Sequence, residues 1–300
     1  MIPVDVGTFS PPVVLDLAAS SGLLEAAGLE VTEHPVVSSP AQFRSLVDGS
    51  LQVALTSPDN VLAYRFNPHN PLGGLLDARI VSAVDRALGL GLYARPGLTA
   101  ADLQGAKVGV DVPHSGFAVA LYALADQLGV PREAYEPVAL GSTPQRLQSL
   151  LAGECDATML NAGNELLAEA AGCVRLGGVV DHFAPYLGTV VAVVGEEHLP
   201  TARLLARALT EACAEVLSGA LDAEALEAAQ RRLGLDEALA RRYVDRLRSP
   251  AEGLVVDGVV DQESLETLVS LRTAWLPQSL DGRDVMDAAL MEGSGLVDVR

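Results

Sequence analysis

Two short polar loops carry similar side chains in similar order, and those side chains suit the capture of a small molecule. The first is Thr56-Ser57-Pro58-Asp59-Asn60 and the second is Asn161-Ala162-Gly163-Asn164. Each follows a short apolar run that reads as a strand, Val53 to Leu55 or Ala157 to Leu160, and in the first copy helix is expected from Val61 onward. A polar loop between a strand and a helix N-terminus offers backbone N–H groups to a polar or anionic ligand. Hydroxyl and amide side chains on the same loop add directional hydrogen bonds.

Covalent chemistry finds little support in the same residues. Cys155, Cys173 and Cys213 are odd in number, widely spaced and free of any CxxC or zinc pattern. Buried thiols are the expectation for Cys155 and Cys213. No GxSxG, Walker A or HExxH motif occurs, and Gly89-Leu90-Gly91-Leu92-Tyr93-Ala94 matches a dinucleotide loop only loosely, inside an apparent strand. His114 is the best-placed histidine, but general acid–base work needs a partner within hydrogen-bond reach. None stands at a fixed spacing, so His114 reads as a polar pocket residue. No cofactor and no metal is expected.

The elements that position the loops repeat as well. Phe43, Leu46, Val47 and Gly49 recur as Leu147, Leu150, Leu151 and Gly153, at a constant offset of 104 residues. The apolar spacing makes one helix face, and the glycine fits the left-handed position that closes a helix. Upstream, Ser38-Ser39-Pro40 matches Ser142-Thr143-Pro144. Ser39 and Thr143 are the expected helix caps, with proline at the first helical position. The pattern predicts an α/β protein of two lobes, each a mixed sheet flanked by helices, with loops facing across a cleft. Residues 1–94 plus 190–300 would form lobe one with a helical C-terminal region, and 95–189 lobe two. The chain would cross near Ala94 to Leu98 and return along Gly188 to Val194. Two covalent links imply a small interface, and hence hinge closure on a ligand.

Position then selects the candidates for ligand binding. Lobe one offers Phe9, Ser10, Ser38, Ser39, Ser57, Asp59, Asn60 and Arg86; lobe two offers His114, Ser115, Phe117, Ser142, Thr143, Asn161 and Tyr186. With aromatic residues only 4% of the chain, Phe9 and Phe117 in matched loops suggest a platform for a planar ligand. Arg86, leaving a strand, and the paired helix starts point to a carboxylate, sulfonate or similar group.

The chain has 300 residues, 49% of them hydrophobic and 20% charged, enough for two lobes with a sizeable core. A net charge of −19, with Lys107 as the only lysine, argues against nucleic acid and anionic membrane surfaces as partners. No apolar run approaches the ~20 residues that span a bilayer. Met1 to Phe9 enters a strand with no basic or apolar leader and no lipobox. The expectation is therefore a cytoplasmic protein, or an exported one lacking its targeting segment.

The order of segments resembles a known family. The strand, the Ser10-Pro11-Pro12 loop and its helix are followed by GLEV, LVDGSLQVALTSPDNVLAY, DLQGAKVGVDVPHSG, GSTPQRLQSLLAGECDATML and a helical tail with VVDQESLETLVSLR. Together they resemble type II periplasmic solute-binding proteins of ABC transporters, in the nitrate/sulfonate/taurine and pyrimidine-precursor branch. The resemblance implies a monomer that captures a small organic ligand, anionic or heteroaromatic, and passes it to an ABC permease. It also allows an alternative: a cytoplasmic enzyme or ligand sensor on the same fold, of the pyrimidine-precursor, desulfinase or dehydratase kind. The CCCFC motif of eukaryotic pyrimidine-precursor synthases is absent, which weighs against that activity.

Overall fold

The computed structural model describes residues 1–280 and 283–298. The N-terminal part alternates β1 (Ile2–Thr8), α1 (Val13–Ser20), α2 (Leu23–Ala26), β2 (Leu29–Pro35), α3 (Ser39–Asp48), β3 (Val53–Thr56), α4 (Pro58–Phe66) and β4 (Ala78–Asp85). The middle contains β5 (Gly91–Ala94), β6 (Lys107–Val110), α5 (Gly116–Gln127), β7 (Glu136–Ala139), α6 (Thr143–Ala152), β8 (Ala157–Leu160), α7 (Asn164–Ala170) and β9 (Val174–Gly178). After α8 (Val179–Phe183) and β10 (Thr189–Val194) the chain is helical through α9 (Leu199–Ser218), α10 (Asp222–Leu233), α11 (Glu237–Leu247) and α12 (Gln262–Trp275). A two-stranded ribbon of β11 (Ser279–Leu280) and β12 (Arg283–Asp284) follows.

Two five-stranded mixed sheets result, ordered β2-β1-β3-β10-β4 and β7-β6-β8-β5-β9. Each has a parallel trio and one antiparallel strand, β10 in the first and β5 in the second. The strand expected to end lobe one, Gly89 to Ala94, is therefore the antiparallel strand of the second sheet. Gly91 to Ala94 pairs with β8 on one side and β9 on the other. The outward crossing lies between Asp85 and Gly91, before the Ala94 to Leu98 segment that the sequence suggested.

The repeat is realised with small shifts. Gly49 and Gly153 close α3 and α6 in the left-handed region, at φ 80° and 75°. The caps are Ser38 and Ser142, one residue before the expected Ser39 and Thr143, so each proline stands at the second helical position. Proline is tolerated there because the first-turn N–H groups have no intrahelical partner. Helix α4 likewise starts at Pro58, placing Asp59 and Asn60 in its first turn rather than in a loop.

The two halves share a core. One apolar cluster joins Phe43, Leu62 and Tyr64 of the first half to Leu92, Val119 and Tyr122 of the second, and to Leu268 of α12. A second cluster packs α1, α9, α10 and α11 on the outer face of the first sheet, with Val4, Leu15, Leu209 and Tyr243. The interface is thus larger than two covalent links imply. Tyr186 belongs to the shared core, 1% exposed, and not to a cleft.

A buried ion pair crosses the same junction. Arg272 of α12 donates from Nε to Asp59 Oδ1 at 2.7 Å and from Nη2 to Asp59 Oδ2. The same Nη2 donates to the His114 carbonyl at 3.0 Å. Side-chain exposures are 2% and 1%. Asp59, expected to meet ligand, is instead saturated by Arg272. Replacing Arg272 with Met should cost about 3–5 kcal/mol, because it strands a buried carboxylate. Adding Asp59→Leu should recover most of that loss in urea denaturation. A single variant with an unchanged midpoint would refute this role.

Candidate functional site

Three helices point their N-termini at one cavity. Helix α4 starts beside Ser57; α5 starts beside Ser115, whose hydroxyl accepts from Ala118 N at 3.2 Å; α6 starts beside Ser142, whose N–H donates to Gln145 Oε1 at 2.8 Å. Residues at all three helix starts line the space between the sheets: Ser57 and Asn60, Ser115 and Phe117, and Thr143. The main chamber, about 80 Å³, is bounded by Phe9, Ser10, Ser57, Phe117, Thr143 and Asn161, with an apolar wall of Leu55, Val84, Leu88, Leu247 and Leu254. A side chamber of about 30 Å³ shares Phe9, Ser57, Phe117 and Thr143 with it and adds Asn60, Asp111, Ser115 and Arg146.

Eight sequence candidates therefore meet at the cavity: Phe9, Ser10, Ser57, Asn60, Ser115, Phe117, Thr143 and Asn161. The others go elsewhere. Ser142 lies in a shallow outer groove with Phe9, Ser10 and Pro11. Ser38 accepts from Ala41 N at 3.3 Å and caps α3, while Ser39 is buried in its first turn. Arg86 pairs with Asp261 at 3.1 Å in an outer depression beside Pro185 and Pro250. A strand-end arginine beside a helix-capping aspartate finds its counter-charge there and does not reach the cavity. His114 is exposed and lines a separate rear pocket with His69 and Arg272.

The loops clasp reciprocally across the sheets. Gly116 N donates to Asn60 Oδ1 at 3.3 Å, and Asn164 Nδ2 donates to Ser10 Oγ at 3.5 Å. Asn60 and Asn164 are repeat partners. Gly116 sits so close to the first half that a Cβ there would come within 2.7 Å of Ser57 Oγ and 2.9 Å of Asp59 Cβ. Only glycine fits at that approach.

Three buried charges at the cavity escape the sequence reading: Arg146, Asp111 and Asp85. Arg146, 1% exposed, spends its guanidinium on neutral acceptors: Nη1 donates to Gly141 O at 2.6 Å, Nη2 to Thr143 Oγ1 at 3.0 Å, and Nε and Nη2 to Met159 O. Among the described residues no carboxylate lies within ion-pair distance of it. Burial pulls Arg146 down to about 10, with Asp111 opposing through space. Asp111 itself is raised by burial despite Arg146, and accepts from the Ser115 hydroxyl. The Ser57 hydroxyl, facing both chambers, is buried without any hydrogen-bond partner. The repeat held the signal for Arg146. Its partner is Gln42, fully buried, which donates to Leu55 O at 3.3 Å and Gly7 O at 3.0 Å. Leu55 O and Met159 O are themselves repeat-equivalent, so a charge replaces an amide at one of two matched positions.

Asp85 is the third. It ends β4, is 2% exposed and lines the main chamber. Its Oδ1 accepts from Ala87 N at 2.9 Å, and Thr189 also bonds to it. Burial pushes its carboxyl up to about 6. The three cysteines are buried and none lines the cavity. Burial raises Cys155 to about 11 and Cys213 to about 12.

Comparison with known proteins separates sequence from fold. No family model and no curated sequence matches the chain. Solved structures do match. The alkanesulfonate-binding protein SsuA of Xanthomonas axonopodis pv. citri, bound to MOPS, superposes with TM-score 0.73 at 17% identity, covering 93% of this chain and 95% of that one. The ligand-binding component of an ABC-type import system from Staphylococcus aureus, with zinc bound, gives 0.71 at 12% identity, with 91% and 92% covered. The fold is that of the periplasmic binding proteins. A mutant of DSZB in complex with biphenyl-2-sulfinic acid shares it more loosely, with TM-score 0.58, 16% identity and 91% of each chain covered. The cavity is lined by residues of both halves.

The lone carboxylate at Asp85 predicts a pH signature. A raised folded-state value means the native protein binds more protons than the unfolded chain between roughly pH 4 and 6. Stability from this group therefore falls as pH rises through that window and levels above it. Asp85→Asn should gain stability relative to the parent between pH 4.5 and 7.5, by up to about 3 kcal/mol. Urea melts at the two pH values measure this, and an equal difference at both would contradict an uncompensated carboxylate.

Proposed function

We propose that this protein is a solute-binding protein that captures a small organic anion between its two sheets and delivers it to an ABC-type permease. The observation that carries the proposal is Arg146. It is a buried cation without a carboxylate in ion-pair reach, at a cavity that also presents a partnerless Ser57 hydroxyl and three helix N-termini. Helix N-termini and an arginine favour the same ligand charge, and a local field of this kind outweighs a distributed net charge screened over roughly 10 Å. Phe9 and Phe117 border both chambers and would flank the part of the solute next to its charged group. The likeness to sulfonate-binding and import-system proteins supports this reading. No helix among the described residues is long and apolar enough to cross a membrane, so membrane delivery would require a partner.

Arg146→Gln tests the assignment with little risk to the fold, because Gln42 already serves the matched position. Isothermal titration with small alkyl and aryl sulfonates and carboxylates should show affinity falling by about 1.5–3 kcal/mol, the scale of a charged hydrogen bond. Unchanged affinity would overturn the anion site. Asp111→Asn should act in the opposite direction, since it removes a like charge from the side chamber.

The reciprocal clasps mark a closed arrangement, with Asp85 to Gly91 and Val179 to Thr189 as the connecting segments. A bound solute touches both halves only in that form and so favours it. Solution scattering should show a smaller radius of gyration, and the melting temperature should rise, when a binding sulfonate is added. A raised melting temperature with an unchanged curve would mean a permanently closed cavity, and would move the weight toward an enzyme on the same fold.

A further inference from the structure

The rear pocket has a wall unlike that of the cavity. It encloses about 330 Å³ between His69 and Asn70 of the loop after α4, His114 of the loop before α5, and Arg272 and Gln278 of α12 and the segment beyond it. The chain has 39 acidic residues against 20 lysines and arginines, yet among the described residues no carboxylate lines this pocket. Each of the four other spaces has at least one: Asp85, Asp111, Asp261 or Glu33. Two of the chain's five histidines meet here instead.

Arg272 is the buried member of this wall, 2% exposed. Its Nε and Nη2 edge is taken by Asp59 and the His114 carbonyl. Nη1, on the other edge of the guanidinium, has no hydrogen-bond partner among the described residues, and it is not one of the fully enclosed polar atoms. The imidazoles of His69 and His114 and the side-chain amide of Gln278 also lack partners among the described residues; only their backbone groups are bonded. The loop that carries His69 is nonetheless fixed. Its N–H donates to Asn67 Oδ1 at 2.8 Å, and Asn70 Nδ2 donates to Asn67 O and Gly74 O. Uncommitted donors on a held backbone lose little freedom when a ligand arrives.

We infer that the rear pocket is a second binding site, for a phosphate group carried free or on a small phosphomonoester. The donors come from three separate segments. A tetrahedral oxyanion presents acceptor oxygens to several sides at once, whereas a planar carboxylate presents two oxygens in one plane. Asp59 offsets the charge of Arg272 but leaves its Nη1 hydrogens to donate. A phosphate here bridges α12, the first half and the second half at the junction that Asp59 and Arg272 already tie. The site shares no lining residue with the two chambers and does not depend on the anion-site reading above.

Titration calorimetry with inorganic phosphate and with glycerol phosphate, in Tris buffer, tests the assignment. The parent protein should bind saturably. The stronger of the two probes distinguishes the free ion from the ester, and either supports the site. Both histidines are exposed, so His69→Ala and His114→Ala should keep the parent melting temperature without phosphate. Each should weaken binding about threefold or more, the scale of one hydrogen bond. His69→Glu should abolish binding, because it places a like charge in the pocket. Arg272 stays unchanged throughout, since its loss would disturb the fold. Arg146→Gln should leave phosphate affinity unaltered. Absence of saturable binding by the parent would overturn the inference, as would affinity that survives all three histidine variants. Loss of phosphate binding in Arg146→Gln would place the ion in the cavity, overturning this inference while supporting the anion site.

Discussion

The buried pair of Asp59 and Arg272 is the constraint on which the site depends. The two residues are far apart in the chain, and each would be intolerable alone in that interior. Together they hold α12 against the first turn of α4, and through the His114 carbonyl they fix the segment that leads into α5. Ser57, Asn60, Ser115 and Phe117 all lie within a few residues of these anchors. The cavity wall is therefore set by an interaction that itself lies outside the cavity.

The site owes its polarity to backbone as much as to side chains. Three helices begin beside it, and the first turn of an α-helix has backbone N–H groups that the helix itself does not satisfy. This is how an acidic protein can present an anion site: the charge of the whole chain acts at a distance through salt, whereas the helix ends and Arg146 act at contact. Asp111 moderates Arg146 without pairing with it, so the cation is neither neutralised nor fully exposed to burial.

Much of the fold is legible in the sequence because the repeat combines independent local signals: apolar spacing, a glycine closing each helix, a hydroxyl cap and a proline. Those signals place α3 with β3 and α6 with β8 within a residue or two. The sheet membership of Gly91 to Ala94 is not legible, because an apolar run reports burial and says nothing about which neighbours hydrogen-bond to it. The site divides in the same way. Residues in the strand-to-helix loops are found by position, whereas Arg86 stands out over Arg146 in sequence because it leaves a strand. What decides between two arginines is which one meets a carboxylate, and Asp261 lies 175 residues from Arg86. Asp85 reads as an ordinary strand end, and only three-dimensional packing shows it without a counter-ion. Asp59 and Tyr186 read as ligand contacts because polar and aromatic types suit both a pocket and a satisfied interior.

The exchange of Gln42 for Arg146 has a consequence of its own. Two matched halves that face each other form a receptacle with approximate twofold character, and such a receptacle accepts an elongated guest equally well either way round. One arginine in place of one glutamine removes that degeneracy. On the proposed function, an anionic guest would be seated head first in the second half, in a single orientation, so whatever received it next would always meet the same end.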